Sequence, residues 1–285
     1  MKRNIIYLFA LPAVMLFSSS CKKESAGSGL KAVFSYVADG YKVNFTNFST
    51  NATEYSWDFG DGTGVGSTSK TPQHIFTKKG DFLVSLTAKN GTETNVFKDT
   101  VSIIGPNIKI DGDFSDWQYV DYSFINSATF PGTLRAIKTF AGSTDIFIYL
   151  EGTSGMNMEI LDIYIDGDND PNTGFKTFLY PAGSGADFLL EGSPAAGWGD
   201  VFSHVGPGNG FSWNPFASFA DAMHISTIST TGGKKIIEFS IKKSTLGPVR
   251  NFINLALIES TSGYAEVGKI PEAPTATSKF LQIPL

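Results

Sequence analysis

One cysteine in 285 residues excludes an internal disulfide, and three histidines leave little material for a nitrogen-ligated metal centre. His74, His204 and His224 show no His-Glu-x-x-His spacing, and no Gly-x-Ser-x-Gly elbow is present. The glycine-rich run Gly62-Thr63-Gly64-Val65-Gly66 sits at a strand corner rather than a strand-to-helix turn, so it is no phosphate loop. Charged residues make up only 17%, and a formal charge of −5 provides no basic field for nucleic acid and no general attraction for an acidic polysaccharide. Sustained helical periodicity is absent, and the apolar run Ile5–Phe17, interrupted by Pro12, is too short to span a bilayer. Glycoside hydrolysis needs two carboxylates about 5–9.5 Å apart. Glu151, Glu191 and Glu238 are the candidates, and the alternation of its strand puts Glu238 on the outward side. The expectation is a protein that is not an enzyme.

What the chain has in quantity is aromatic residues, at 13%, with 30 glycines and 13 prolines. That balance predicts an all-β fold of short strands and turns, and the length predicts about two domains. Residues 1–20 are set aside as a targeting segment: Lys2 and Arg3, the short apolar run, then Ser18-Ser19-Ser20 before Cys21. Cys21 resembles the lipidated cysteine of bacterial lipoproteins, although Ser18 stands where such signals usually carry an aliphatic residue. The resemblance implies a lipid anchor, and several acyl chains hold firmly where one does not. Residues 21–29 form a flexible tether. No Asp follows Cys21, which favours the outer membrane and leaves the leaflet open.

Residues 30–104 alternate as strands, with Tyr55, Trp57 and Phe59 on one face and Phe82, Val84, Leu86 and Ala88 on another, and Asp39-Gly40, Asp61-Gly62 and Asn90-Gly91 as turns. Trp57-Asp58-Phe59-Gly60-Asp61-Gly62 is followed by Pro72-Gln73-His74-Ile75-Phe76. Both halves, in this order, resemble the PKD-type immunoglobulin-like module. The resemblance implies a seven-strand sandwich acting as a non-catalytic spacer, with Trp57 in its core and His74 as a structural hydrogen-bonder.

Strand patterns continue over 107–285, at 134–140, 146–150, 161–165, 188–190, 236–241, 254–258 and 280–285, enough for a larger jelly-roll-like β-sandwich. Ser244–Gly247 reads as a brief helical turn, and Gly192–Ala220 reads as the longest irregular region. Ile110-Asp111-Gly112-Asp113-Phe114-Ser115-Asp116-Trp117 resembles the opening of the family 9-like carbohydrate-binding modules and their DOMON relatives. Ile165–Asp170 with Thr173-Gly174-Phe175, Gly185–Glu191, and Glu238-Phe239-Ser240-Ile241 with Leu246-Gly247 extend the match. This resemblance implies a sandwich that binds sugar without cleaving it, sometimes with structural calcium, and an architectural role for the Asp111–Trp117 segment.

Asp166, Asp168 and Asp170 crowd hard oxygen ligands into one turn, which suits Ca²⁺, with Asp187 as a further ligand from a neighbouring loop. A solvated acidic turn held by Asx hydrogen bonds fits the same residues. Pro171 and Thr177 stand where an EF-hand needs Gly and Glu. Trp198 and Trp213 lie among Gly, Pro, Asn and Ser with Phe202, Phe211, Phe216 and Phe219 nearby. Their rings could stack on sugar C–H faces while Asp187, Asp200, His204 or Asn209 binds hydroxyls, or the aromatics could form a satellite core under the loop.

Together these readings predict an outer-membrane lipoprotein, displayed at the cell surface, that captures polysaccharide or oligosaccharide beside a glycan transporter and hydrolases. Adhesion to a protein partner is the rival. A haem-binding reading, open to DOMON relatives, founders because Met223 and His224 are sequence neighbours and cannot ligate one iron from opposite sides.

Overall fold

The computed structural model describes residues 29–285; the 1–20 segment, Cys21 and the tether up to residue 28 lie outside the described residues. The first seven strands are β1 Phe34–Asp39, β2 Lys42–Asn47, β3 Glu54–Asp58, β4 Gly66–Ser67, β5 Gln73–Ile75, β6 Gly80–Asn90 and β7 Glu93–Ile103. They form a three-stranded sheet, β1-β2-β5, and a four-stranded sheet, β4-β3-β6-β7. By internal contacts the described chain divides into two compact units, 29–35 with 46–72 and 83–99, and 36–45 with 73–82 and 100–285.

Within the first unit Trp57 is 2% exposed, its ring 5.1 Å from Phe34 and its Nε1 donating to Ser69 O at 2.9 Å. The strand after it turns at Gly60, whose φ of 70° lies in the left-handed region. A Cβ there would stand 2.4 Å from Leu83 O, so both conformation and space demand glycine. Gly60→Ala is expected to destabilise this unit by about 3 kcal/mol or more, since backbone rather than a mobile side chain must yield. Urea denaturation followed by Trp57 fluorescence checks it; an unchanged midpoint would contradict the geometry.

The larger sandwich contains β8 Tyr122–Ile125, β9 Leu134–Ala141, β10 Asp145–Thr153, β11 Ile160–Asp166, β12 Phe188–Ser193, β13 Trp198–His204 and β14 Trp213–Ser218. It continues through β15 Met223–Ile225, β16 Ser229–Thr231, β17 Lys234–Lys242, β18 Phe252–Ser260, β19 Glu266–Ile270 and β20 Leu281–Pro284. One sheet runs β15-β17-β10-β9-β8 with β16 on β17; the other runs β14-β13-β12-β11-β18-β19 with β20 on β18. Ile146, Ile148, Leu150, Ile237, Phe239 and Ile241 of the first meet Leu161, Ile163, Ile165, Leu190, Leu255 and Leu257 of the second in one core. Every one of these is fully buried, and each contributes about 1.5–3 kcal/mol by leaving water.

The predicted strands are all present, and Lys243–Leu246 is a short 3-10 helix. Gly192–Ala220 is not irregular: it holds β13, β14 and the start of a short helix, Phe219–Ala222. Only Val201 and Ala217 of these two strands reach the core, so the polar and aromatic residues between them hide the alternation. The longest described stretch without a strand is instead 167–187.

Glu238 stands on the outward side of β17, opposite its core residues Ile237 and Phe239, but that side is covered and the residue is fully buried. Its Oε1 accepts from Asp111 N at 3.0 Å and Gly112 N at 2.7 Å, and its Oε2 accepts from Trp117 Nε1 at 2.8 Å. The opening segment therefore lies over that face of β17, with Trp117, Ile108 and Tyr149 in a small cluster of their own. Asp113 caps the 3-10 helix Phe114–Tyr119 through Ser115 N, and Asp116 accepts from Lys109 N at 2.8 Å. The acidic residues of this segment thus serve the backbone.

Candidate functional site

Strand β11 has two different faces. Leu161, Ile163 and Ile165 point into the core, so Asp162, Tyr164 and Asp166 point to the outer side of the seven-stranded sheet. Register carries this outward set across the neighbours: Ile258, Asp162, Glu191, Asp200 and Ser218 stand opposite one another on successive strands. The next row is Ala256, Tyr164, Leu189, Phe202 and Pro215. In the other direction, Trp198 stands opposite Ser193 at the end of β13. Residues facing across a sheet have Cβ atoms about 4.5–5.5 Å apart, so each row is a set of touching side chains.

Part of this face is covered. Residues 167–187 fold back so that Tyr180, Ala186 and Phe175 pack with Tyr164, Leu189, Ala256 and Phe280, and Tyr180 OH donates to Pro271 O at 2.6 Å. Trp213 belongs to this covered part, 5.1 Å from His204, 5.7 Å from Phe175, 5.9 Å from Phe211 and 6.2 Å from Tyr164. Its Nε1 is buried without a hydrogen-bond partner. Phe211 is more exposed, at 61%.

The opposite end of the face is open. Trp198 is 52% exposed and Asp200 is exposed beside Glu191. Tyr264 is 63% exposed, in the β18–β19 turn, with a φ of 61° that bulky residues seldom adopt. Glu191 faces Asp162 across β11 and β12, and Tyr264 stands near Glu191. Burial, then the charge of Glu191, pushes the Asp162 carboxyl up to about 7; burial likewise raises Glu191. Asp162 Oδ1 is buried with no hydrogen-bond partner. Two facing carboxyls repel when both are ionised, which favours one acid and one carboxylate in the pair. The other candidate carboxylates are committed: Glu151 pairs with Lys234 Nζ at 2.6 Å, and Glu238 holds the opening segment.

Asp166, Asp168 and Asp187 form a second group, each offering an oxygen within 4.8 Å of the others. Asp170 is not in it; that carboxylate accepts from Asn172 N and Nδ2, both at 2.9 Å. Asp187 Oδ2 accepts from Gly167 N at 2.9 Å and Asp168 N at 3.1 Å, while Asp166 accepts from Asn169 N at 2.7 Å and Asn254 Nδ2 at 3.0 Å. Burial raises Asp166 to about 6 against those hydrogen bonds, with Asp187 and Asp168 adding to the rise; burial raises Asp187 as well. Asp168 and Asp187 border an open cleft of about 460 Å³ lined also by Phe188, Ser203 and His204. Three clustered carboxylates, all hard oxygen donors, fit part of the six to eight ligands of Ca²⁺ and suit Zn²⁺ poorly.

The structure therefore divides the residues marked in the sequence. Trp198 and Asp200 share the open end, Trp213 and Phe211 the covered end, and Asp187 joins the acidic turn. Trp198 begins β13, and Trp213, on β14, pairs with His204 at the other end of β13, about 20 Å away at the usual rise per residue. Asp162 and Tyr264 were not marked; the one signal available for Asp162 is its outward place in the β11 alternation, and Tyr264 had none.

The family model of the PKD domain matches residues 29–95. Among solved structures, the PKD1 domain of Vibrio anguillarum Epp is 31% identical, covering 26% of this chain and 93% of that one at a TM-score of 0.25. The PKD1 domain of Vibrio cholerae metalloprotease PrtV is 28% identical, covering 26% and 96% at 0.24. A carbohydrate-binding module of family 9 from Caldicellulosiruptor kristjanssonii, in complex with cellotriose, is 14% identical and covers 62% of this chain and 89% of that one at 0.36. No curated protein matches the chain. Residues 29–95 belong to the PKD domain family.

Proposed function

We propose that this protein binds glycan without cleaving it, at the open end of the outer face of the seven-stranded sheet. One observation carries the reading: an exposed Trp198 and an exposed Tyr264 lie near the row of carboxyls Asp162, Glu191 and Asp200 on the outer face of the sheet. Sugar rings stack their C–H faces on such aromatic planes, and carboxyls bind their hydroxyls; a site built on strands holds both in register. The PKD domain acts as the spacer. A lipid on Cys21 anchors the chain in the outer membrane at the cell surface, where it captures polysaccharide for a transporter and partner hydrolases, and many copies on one polymer make weak single sites effective.

The test is a glycan-array screen of the chain from residue 29, followed by calorimetry on each hit. Trp198→Ala is expected to weaken binding at least tenfold, about 1.4 kcal/mol, whereas Trp213→Phe, inside the aromatic cluster, is expected to change it by less than threefold. A negative array in calcium would replace this reading with a protein-binding surface role. Failure of Cys21→Ser to release the chain from membranes would remove the anchor.

Calcium, in this reading, stiffens the 166–187 turn rather than touching sugar. At one hundred times its Kd it would add about 2.7 kcal/mol to stability. Melting in calcium and in chelator is expected to differ by several degrees, and Asp187→Asn to abolish the difference. Equal melting temperatures would leave the turn to its own hydrogen bonds.

A further inference from the structure

We propose that a second sugar site lies at the far end of the same sheet, in a groove between β20 and the 167–187 segment, and that it takes a neutral, hydroxyl-rich saccharide. The ligand class rests on the glycan-binding reading; the site itself does not use Trp198. Two clefts of about 350 and 250 Å³ share Asn254, Lys279, Phe280 and Gln282 as lining, and a groove of that size is in the roughly 300–1,000 Å³ range of small-ligand pockets. Register places Gln282 opposite Asn254, and Asn254 opposite Asp166, one polar row across β20, β18 and β11. Ile165, Leu255 and Ile283 point into the core, so the row faces outward. Trp198 lies just beyond the Leu161–Gly192–Gly199 row, so the two sites stand about 20 Å apart along the strands.

Hydrogen bonds fix the walls before any ligand arrives. Ala182 N donates to Ser278 O at 3.1 Å and Phe280 N to Gly183 O at 2.9 Å, which ties the covering segment to the approach of β20. Asn169 Nδ2 holds Phe252 O at 2.9 Å. Asn254 Nδ2 donates to Asp166 Oδ2 at 3.0 Å, which sets the amide and leaves its oxygen as an acceptor. Lys279 and Gln282 are exposed, and neither side chain has a hydrogen-bond or ion-pair partner among the described residues. An amide both gives and takes hydrogen bonds, as a sugar hydroxyl does, and Lys279 adds three donors. Phe124, Phe252 and Phe280 offer apolar wall to C–H groups. Charge selects against ionic ligands. Asp166 and Glu272 already accept from Asn169 N at 2.7 Å and Ser127 N at 3.1 Å, so a cation must compete with backbone donors and also meet Lys279. An anion would find that one lysine set against two carboxyls.

Nitrogen-15 spectra of the full-length chain test this, with neutral gluco-, manno-, galacto- and xylo-trisaccharides and with galacturonate and glucosamine trisaccharides as the anion and the cation. A neutral trisaccharide is expected to shift the side-chain amide signals of Asn254 and Gln282 saturably, and to do so equally in Trp198→Ala. Lys279→Ala with Gln282→Ala, both at exposed positions, is expected to weaken that binding by about tenfold or more, read at Asn254, with melting temperature held within a few degrees. Shifts confined to the Trp198 end overturn the inference alone. So does loss of the Asn254 shift in Trp198→Ala, an unweakened double variant, or tighter binding of either charged trisaccharide at Asn254. Silence of every trisaccharide at both ends sinks the glycan reading and this inference together.

Discussion

Replacing Glu238 by Ala is expected to cost about 3–5 kcal/mol and to lower the melting temperature of the larger sandwich by about 6–20 °C. The carboxylate is fully buried, yet it is not a misplaced charge: three donors converge on it, from Asp111 N, Gly112 N and Trp117 Nε1. Burial raises its carboxyl and the three hydrogen bonds oppose the rise. Removing it strands two backbone N–H groups and an indole N–H where water cannot reach all of them, and it leaves a void beside Trp117. Each stranded donor costs about 1–3 kcal/mol. Glu238→Gln is expected to fall between, because an amide oxygen can serve one side of the site while its NH₂ opposes the donor on the other. Trp117→Phe, which deletes one donor and part of a ring, is expected to cost less than Glu238→Ala. Calorimetric melting with Trp emission as a second probe checks the order; a loss under 3 °C for Glu238→Ala would mean that the opening segment is held by its apolar contacts alone.

The same residue shows where sequence reasoning succeeds and where it fails. The strand around Glu238 was legible because apolar residues alternate there, and the Ile110–Trp117 segment was legible as architecture. Their contact was not, because alternation reports which residues share a side and says nothing about what covers that side. Strand β13 failed for a related reason. Trp198, Asp200, Phe202 and His204 all point outward, and its inward side offers Val201 as the one core residue, so the strand reads as a loop. The acidic turn was recognised from Asp166 and Asp168, but the choice between Asp170 and Asp187 as third member depends on how β12 pairs with β11, a register no local pattern fixes. The PKD segment was legible almost throughout because its motif encodes backbone demands directly, as Gly60 shows.

Asp162→Asn is expected to make the protein more stable above neutral pH, by about 2–4 kcal/mol at pH 8, and to change little at pH 4. In the folded chain the Asp162 carboxyl ionises at about 7, against 3.8 for the ordinary group. A carboxyl whose folded value is raised contributes stability that is complete below 3.8 and is lost as pH rises through about 7, because the unfolded chain gives up its proton earlier. Above that point the wild-type chain holds an ionised Asp162 in partial burial against Glu191, and the Asn variant does not. An amide can also donate to Glu191. Urea unfolding at pH 4, 6 and 8 reads the effect; a difference between wild type and variant that is flat with pH would show that Asp162 is solvated like any surface carboxylate.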